Sequence, residues 1–167
     1  MHERLLGFYL AAVLVALGSG LSGQDAPGTM AITRLQYGGG GDWYADPSSL
    51  PNLIKFVTEN VGLRIAAEER RAAIGDDDFF SATYFYLTGH GNIYFTDEEA
   101  GLLHTQLLAG AFLHADDNYG MDESFRREML KVFPDKEWVE VPANHPIYSA
   151  IYNFPAVAEI GFIGVEW

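Results

Sequence analysis

The stretch Ala111-Phe-Leu-His-Ala-Asp-Asp-Asn-Tyr-Gly-Met-Asp122 constrains the fold of this chain more than any other. An apolar run ends in a histidine and two acids, a Tyr-Gly turn follows, and a helical pattern begins. That order reads as a strand–turn–helix corner. Tyr84-Phe-Tyr-Leu-Thr-Gly-His-Gly-Asn92 has the same design. In an open α/β sheet, ligands bind outside the carboxyl ends of the strands. The two corners are therefore the first places to look for a site.

The rest of the chain agrees with alternating strands and helices. Met30 to Tyr37 is rich in β-branched and aromatic residues and predicts a strand. Pro51 to Asn60 predicts an amphipathic helix with Leu53, Ile54, Phe56 and Val57 on its apolar face. Leu63 to Ala67 reads as a short second strand, and Glu68 to Arg71 as a solvated segment. Asp76 to Asp78 reads as a turn and helix cap, since the ligand pattern of a Ca²⁺ loop is absent. Phe80 to Leu87 predicts a third strand. Thr96 and Glu99 have capping-box spacing at the head of the next helix. Ala111 to His114 predicts a fourth strand, Met121 to Val132 a helix, and Trp138 to Val141 a last short strand before a loop over 142–148. Helices alternating with hydrophobic strands predict a mainly parallel sheet covered on both faces, a three-layer α/β sandwich.

The 167 residues suffice for one domain with a sizeable core, placed over residues 30–167. Before it, Leu5 to Leu17 is apolar, too short for a comfortable membrane span and right for the core of a signal peptide. Residues 1–23 are expected to be a signal peptide or an uncleaved N-terminal anchor, and residues 24–29 a linker. The chain is therefore expected to be exported, periplasmic or extracytoplasmic. Formal net charge is −13, and residues 1–23 carry no net charge of their own, since Glu3 offsets Arg4. Such acidity opposes non-specific binding to phosphate backbones or to an anionic membrane surface. It leaves the N-terminal segment as the only expected membrane contact. There is no cysteine, which excludes disulfides, thiolate metal sites and a thiol nucleophile.

Several residues at the corners could carry chemistry. His114 and Asp116 lie two apart, so they share a face if the strand continues. Together they could serve in metal ligation, as a general base with its orienting acid, or in a structural hydrogen bond, and His114 alone could contact a ligand directly. His90, His114 and Asp116, with Asp117 or His145, could hold a divalent metal, although no close His-x-x-x-His spacing supports it. Asp117, Asn118 and Tyr119 complete the fourth-strand corner, and Asn92 completes the third. Gly39 and Gly40, within the run Gly38 to Gly41, lead into Asp42, Trp43 and Tyr44. The run lacks the Gly-Lys-Ser/Thr that a phosphate-cradling loop requires. Asp122 or a neighbour caps the next helix, whose first N–H groups either attract an anion or are satisfied by the acids before them. Ser81 and Ser124 lie in no nucleophile elbow.

Arg34-Leu-Gln-Tyr-Gly-Gly-Gly-Gly-Asp-Trp-Tyr44, Tyr86 to Asn92 and Phe112 to Arg127 resemble bacterial domain-of-unknown-function family 4159, as do Val132-Phe-Pro134 and His145-Pro-Ile-Tyr148. The resemblance runs from about Ala31 to Phe154. It implies similarity in fold to class I glutamine amidotransferase-like and trehalose-utilisation-type domains, hence a flavodoxin-like sheet. It does not imply glutaminase chemistry, because that needs a cysteine at the elbow, which falls near Asp116 to Asn118. The family continues past Asn153-Phe-Pro155 with a Gly-rich stretch and a further strand, so the tail Ala156 to Trp167 reads as truncated. The expected function is binding of a small polar ligand at the strand ends. The alternatives are a metal-dependent hydrolase and a protein-interaction module of the cell envelope.

Overall fold

The computed structural model describes residues 26–152 and 163–165. The expected leader over residues 1–23, the Asn153-Phe-Pro155 segment and the stretch from there to residue 162 lie outside them. Four parallel strands form the main sheet: β1 (Thr33–Gln36), β2 (Arg70–Ala73), β3 (Tyr84–His90) and β4 (Phe112–Tyr119). Their spatial order is β2-β1-β3-β4. The chain leaves β1 for β2 on one side, then returns past β1 to lay down β3 and β4 on the other. The strand order therefore reverses between β1 and β3.

Helix α1 (Ser49–Asn60) covers one face, where Leu50 and Ile54 pack with Ile32 and Tyr86. The other face carries α2 (Asp77–Ser81), α3 (Asp97–Leu108) and α4 (Asp122–Val132). There Leu35, Phe85 and Leu87 from the sheet meet Phe79, Leu103 and Met129 from the helices. Each fully buried side chain of this kind contributes roughly 1.5–3 kcal/mol. Alternation along the strands explains the division: Tyr84, Tyr86 and Thr88 face α1, while Phe85 and Leu87 face the larger cluster. The capping box at α3 forms as predicted, Thr96 accepting from the Glu99 N–H and Glu99 from the Thr96 N–H.

Three expectations are corrected. The second strand is not Leu63 to Ala67, where only Ile65 makes an isolated bridge to Met30. It is Arg70–Ala73, drawn from the segment expected to be solvated. As an edge strand β2 buries only Ala72, so its arginines reach water and hide the pattern. The third strand starts at Tyr84, because Asp77–Ser81 forms the short helix that the Asp76 to Asp78 turn introduces. The fourth strand does not end at His114. It runs through the acids to Tyr119, since Thr88 and Gly89 pair with Asp116 and Asp117. A last pair of strands, β5 (Trp138–Glu140) and β6 (Ile163–Val165), forms a separate antiparallel ribbon.

Candidate functional site

Strands β1 and β3 lie side by side and parallel, so the loops after them meet on one rim of the sheet. The glycine run lets the two loops close on each other. Gly41 N–H donates to Asn92 O, and Tyr94 N–H donates to Gly38 O. A Cβ on Gly39 would stand 2.7 Å from the Tyr94 nitrogen, and one on Gly41 2.8 Å from Asn92 O. The run is therefore a backbone zipper. Gly39 is committed to Asn92 and Tyr94, whereas Gly40 faces open space.

That closure delivers Asp42 to His90. The Asp42 carboxylate accepts from the His90 backbone N–H and faces its ring Nδ1 at 3.1 Å. The backbone N–H, with help from the ring, holds the Asp42 carboxyl below the usual carboxylate range against a smaller effect of burial. Beneath the pair, the Tyr37 hydroxyl donates to Thr88 O at 3.1 Å. Burial, followed by the nearby negative charges of Asp42 and Asp117, pushes Tyr37 up to about 12. It stays protonated at neutral pH and serves as a donor.

Around this pair the rim is tied by side chains. Tyr86 donates to Asp116 Oδ2 at 2.9 Å, and Thr88 Oγ1 to Asp116 O at 3.0 Å. Asn118 donates from its amide to Asp46, a residue held at φ 49°. Asp117 accepts from the Met121 and Asp122 N–H groups at 2.9 and 3.0 Å. Two N–H groups at the start of α4 are thus taken by the chain's own Asp117, and Asp122 does not cap the helix. Trp43 packs against the core edge-on to Tyr44, which is exposed, and Tyr119 is 82% exposed in register with His90.

The expected histidine cluster does not assemble. His114 is paired with Tyr86, four residues before His90 on β3, and His90 is paired with Tyr119. At about 3.3 Å per residue the two backbones stand roughly 13 Å apart along the strand. His114 Nδ1 meets the Tyr84 hydroxyl at 3.1 Å instead. His145 caps the 3₁₀ turn Pro146–Ser149, accepting from the Ile147 N–H. Among the described residues no group of three or more His, Asp or Glu could hold a metal ion.

Burial lowers the His114 pKa from 6.5, partly opposed by Asp116. The folded state therefore favours the neutral ring, while the unfolded chain takes up the proton first as pH falls. The resulting stability is present above pH 6.5 and is lost as pH drops through that value toward the folded pKa. Urea midpoints measured from about pH 7 down to about pH 5 should fall in the wild type, and His114→Gln should flatten that slope. An unchanged slope would mean that His114 is solvated in the fold.

Two clamps escaped sequence reasoning. Arg34, with 1% of its side chain exposed, donates to Ala45 O at 2.9 Å, bonds Glu69 at 3.1 Å, and so fixes the loop that carries Asp42. On α4, Ser124, Arg127, Glu128 and Lys131 form one stripe that holds the loop after His90. Ser124 Oγ accepts from Ile93 N–H, Glu128 accepts from Phe95 N–H, and Arg127 and Lys131 donate to Ile93 O and Phe95 O. Burial pushes the Glu128 carboxyl up, but the bonds from Lys131, Phe95 N–H and Arg127 outweigh it and leave the group below its ordinary range. The signals were an arginine inside an apolar strand and polar residues at i, i+3, i+4 and i+7.

A family model described as a domain of unknown function (DUF4159) matches residues 31–164. No curated protein matches the chain.

Proposed function

The chain belongs to the DUF4159 family, and we propose that it is an exported α/β domain of flavodoxin-like arrangement that binds a small polar ligand at the carboxyl ends of its strands. The observation that carries this reading is the Asp42–His90 pair, which sits where the strand order reverses. Open α/β sheets bind ligands at that reversal. With Nδ1–H given to Asp42, the exposed His90 ring keeps the Nε2 lone pair to accept from a ligand hydroxyl or N–H, or to take its proton. Gly40, Trp43, Tyr44, Asn92 and Tyr119 border the same rim. No thiol is available, so likeness in fold to glutamine amidotransferases would not bring their cysteine chemistry. The apolar run Leu5 to Leu17 supports export.

Ligand-observed NMR against a panel of amino acids, dicarboxylates and monosaccharides tests the site. A binder found with the wild type should lose at least about tenfold in affinity in His90→Ala and in Asp42→Asn, because each removes a charge-assisted or oriented hydrogen bond. A binder indifferent to both substitutions would place the site elsewhere.

A further inference from the structure

Carboxylates gather around the Asp42–His90 pair. Thr88 pairs with Asp116, Gly89 with Asp117 and His90 with Tyr119, so the two acids of β4 stand just short of His90 along the strands. Asn118, between Asp117 and Tyr119, bonds Asp46 and brings a further carboxylate to the same corner. Asp46, Asp116 and Asp117 are exposed, and Asp42 is half-exposed. Tyr86 takes Asp116 Oδ2 and Asn118 takes Asp46 Oδ2, which leaves Oδ1 of each without a partner among the described residues. Asp117 spends both oxygens on the start of α4 but keeps its charge. The two arginines bonded to these loops are committed. Arg34 is buried against Glu69, and Arg127 is held by Glu128, Asn92 Oδ1 and Ile93 O. Outside the described residues the sequence supplies one Lys or Arg, Arg4, against Glu3, Asp25, Glu159 and Glu166, so those residues cannot turn the balance positive.

We infer that the ligand of this rim is a small organic cation bearing N–H groups, a primary amine or a guanidine. The inference names the ligand class of the site proposed above and rests on that reading. With Nδ1–H given to Asp42, His90 presents Nε2 as an acceptor for one N–H, and Asp46 and Asp116 supply oxygens for others. Such a ligand needs acceptors alone, because an ammonium or guanidinium has donors and no lone pair to offer. Tyr44 and Tyr119, 63% and 82% exposed, add aromatic faces that attract a cation. A carboxylate ligand would meet like charge with both loop arginines already bonded. A bare metal ion fits less well, since among the described residues no three His, Asp or Glu come together to hold one.

Ligand-observed NMR on the full chain at low salt, with pentylamine, pentanoate and pentanol as probes, tests the class. The three share one apolar chain and differ in charge. Pentylamine should bind at least about tenfold tighter than the other two and weaken as salt is raised. Its affinity should fall at least about tenfold in His90→Ala and severalfold in Asp46→Asn, each of which removes an acceptor. Both residues are exposed, so both variants should keep the wild-type circular dichroism. Glu59→Gln, which removes an equal charge at the far end of α1, should leave binding unchanged. Tetramethylammonium, which has the charge without N–H groups, should bind more weakly than pentylamine. Pentanoate or pentanol as the tighter, His90-dependent probe overturns the cationic class and keeps the site. Pentylamine that ignores His90→Ala, or responds to Glu59→Gln as strongly as to Asp46→Asn, reports only general attraction to an acidic chain and overturns the inference. Absence of pentylamine binding overturns it too, and the broader panel then decides separately whether the site stands.

Discussion

Arg34→Met is expected to lower the stability of the fold by about 3–5 kcal/mol, read from urea denaturation monitored by circular dichroism. The guanidinium is buried in the sheet and lies 5.5 Å above the Tyr86 ring. Methionine fills most of that volume, so the loss is electrostatic. It strands the Ala45 carbonyl and removes the buried partner of Glu69, which keeps Arg71 at 2.8 Å. The double substitution Arg34→Met with Glu69→Met should recover a large part of the loss, since replacing both members of a buried pair by apolar groups is often nearly neutral. The local consequence would persist. Among the described residues no other side chain bonds the Trp43 or Ala45 carbonyl, so the His90 amide that rests on Asp42 should exchange with solvent faster in both variants. Equal stability of Arg34→Met and wild type would mean that the guanidinium is solvated and the loop is held by something else.

Elements that rest on local chemistry were legible in the sequence. Thr96 and Glu99 announce the head of α3 because the capping box is written in four consecutive residues. Pro51 marks α1 as locally, but of its expected apolar face Ile54 alone is buried, Phe56 is exposed, and Leu50 before the proline is buried instead. The edge strands were harder, for one reason. A central strand such as β3 buries five of its seven residues, whereas β2 buries only Ala72 and β4, among the described residues, buries none, so Arg71, Asp116 and Asp117 cost little there. The acids of β4 therefore resemble a turn when they are a strand. The site was partly legible: Asp42 and His90 both stood out, each beside glycines. Their pairing did not, because the residues are 48 apart and only the sheet order β2-β1-β3-β4 brings their loops together. That order also dissolved the histidine cluster, since register along parallel strands fixes the gap between His90 and His114. Glu128 and Arg34 were invisible as anchors because a charged residue reads as exposed unless its partner is known, and Glu69 lies 35 positions from Arg34.

Gly89→Ala is expected to cost about 2–6 kcal/mol, through backbone strain of about 1–3 kcal/mol and overpacking of similar size. Gly89 has φ 148°, where side chains are rarely accommodated. Its added Cβ would fall on the Tyr37 hydroxyl and lie 3.1 Å from both Asp42 O and Asp42 Oδ1. The two contributions can be separated. Tyr37→Phe removes the hydroxyl at a cost of about 1 kcal/mol for the lost bond to Thr88 O. In the Gly89→Ala, Tyr37→Phe double variant the overpacking against oxygen is relieved, while the strain and the crowding of Asp42 remain. The double variant should therefore be more stable than the sum of the single losses predicts, yet still less stable than Tyr37→Phe alone. Because the residual crowding falls on Asp42, the His90 backbone amide and ring resonances should move in both alanine variants. A Gly89→Ala protein as stable as wild type, with those resonances in place, would show that Tyr37 and Asp42 do not converge beneath this corner. The geometry that orients His90 would then have no support.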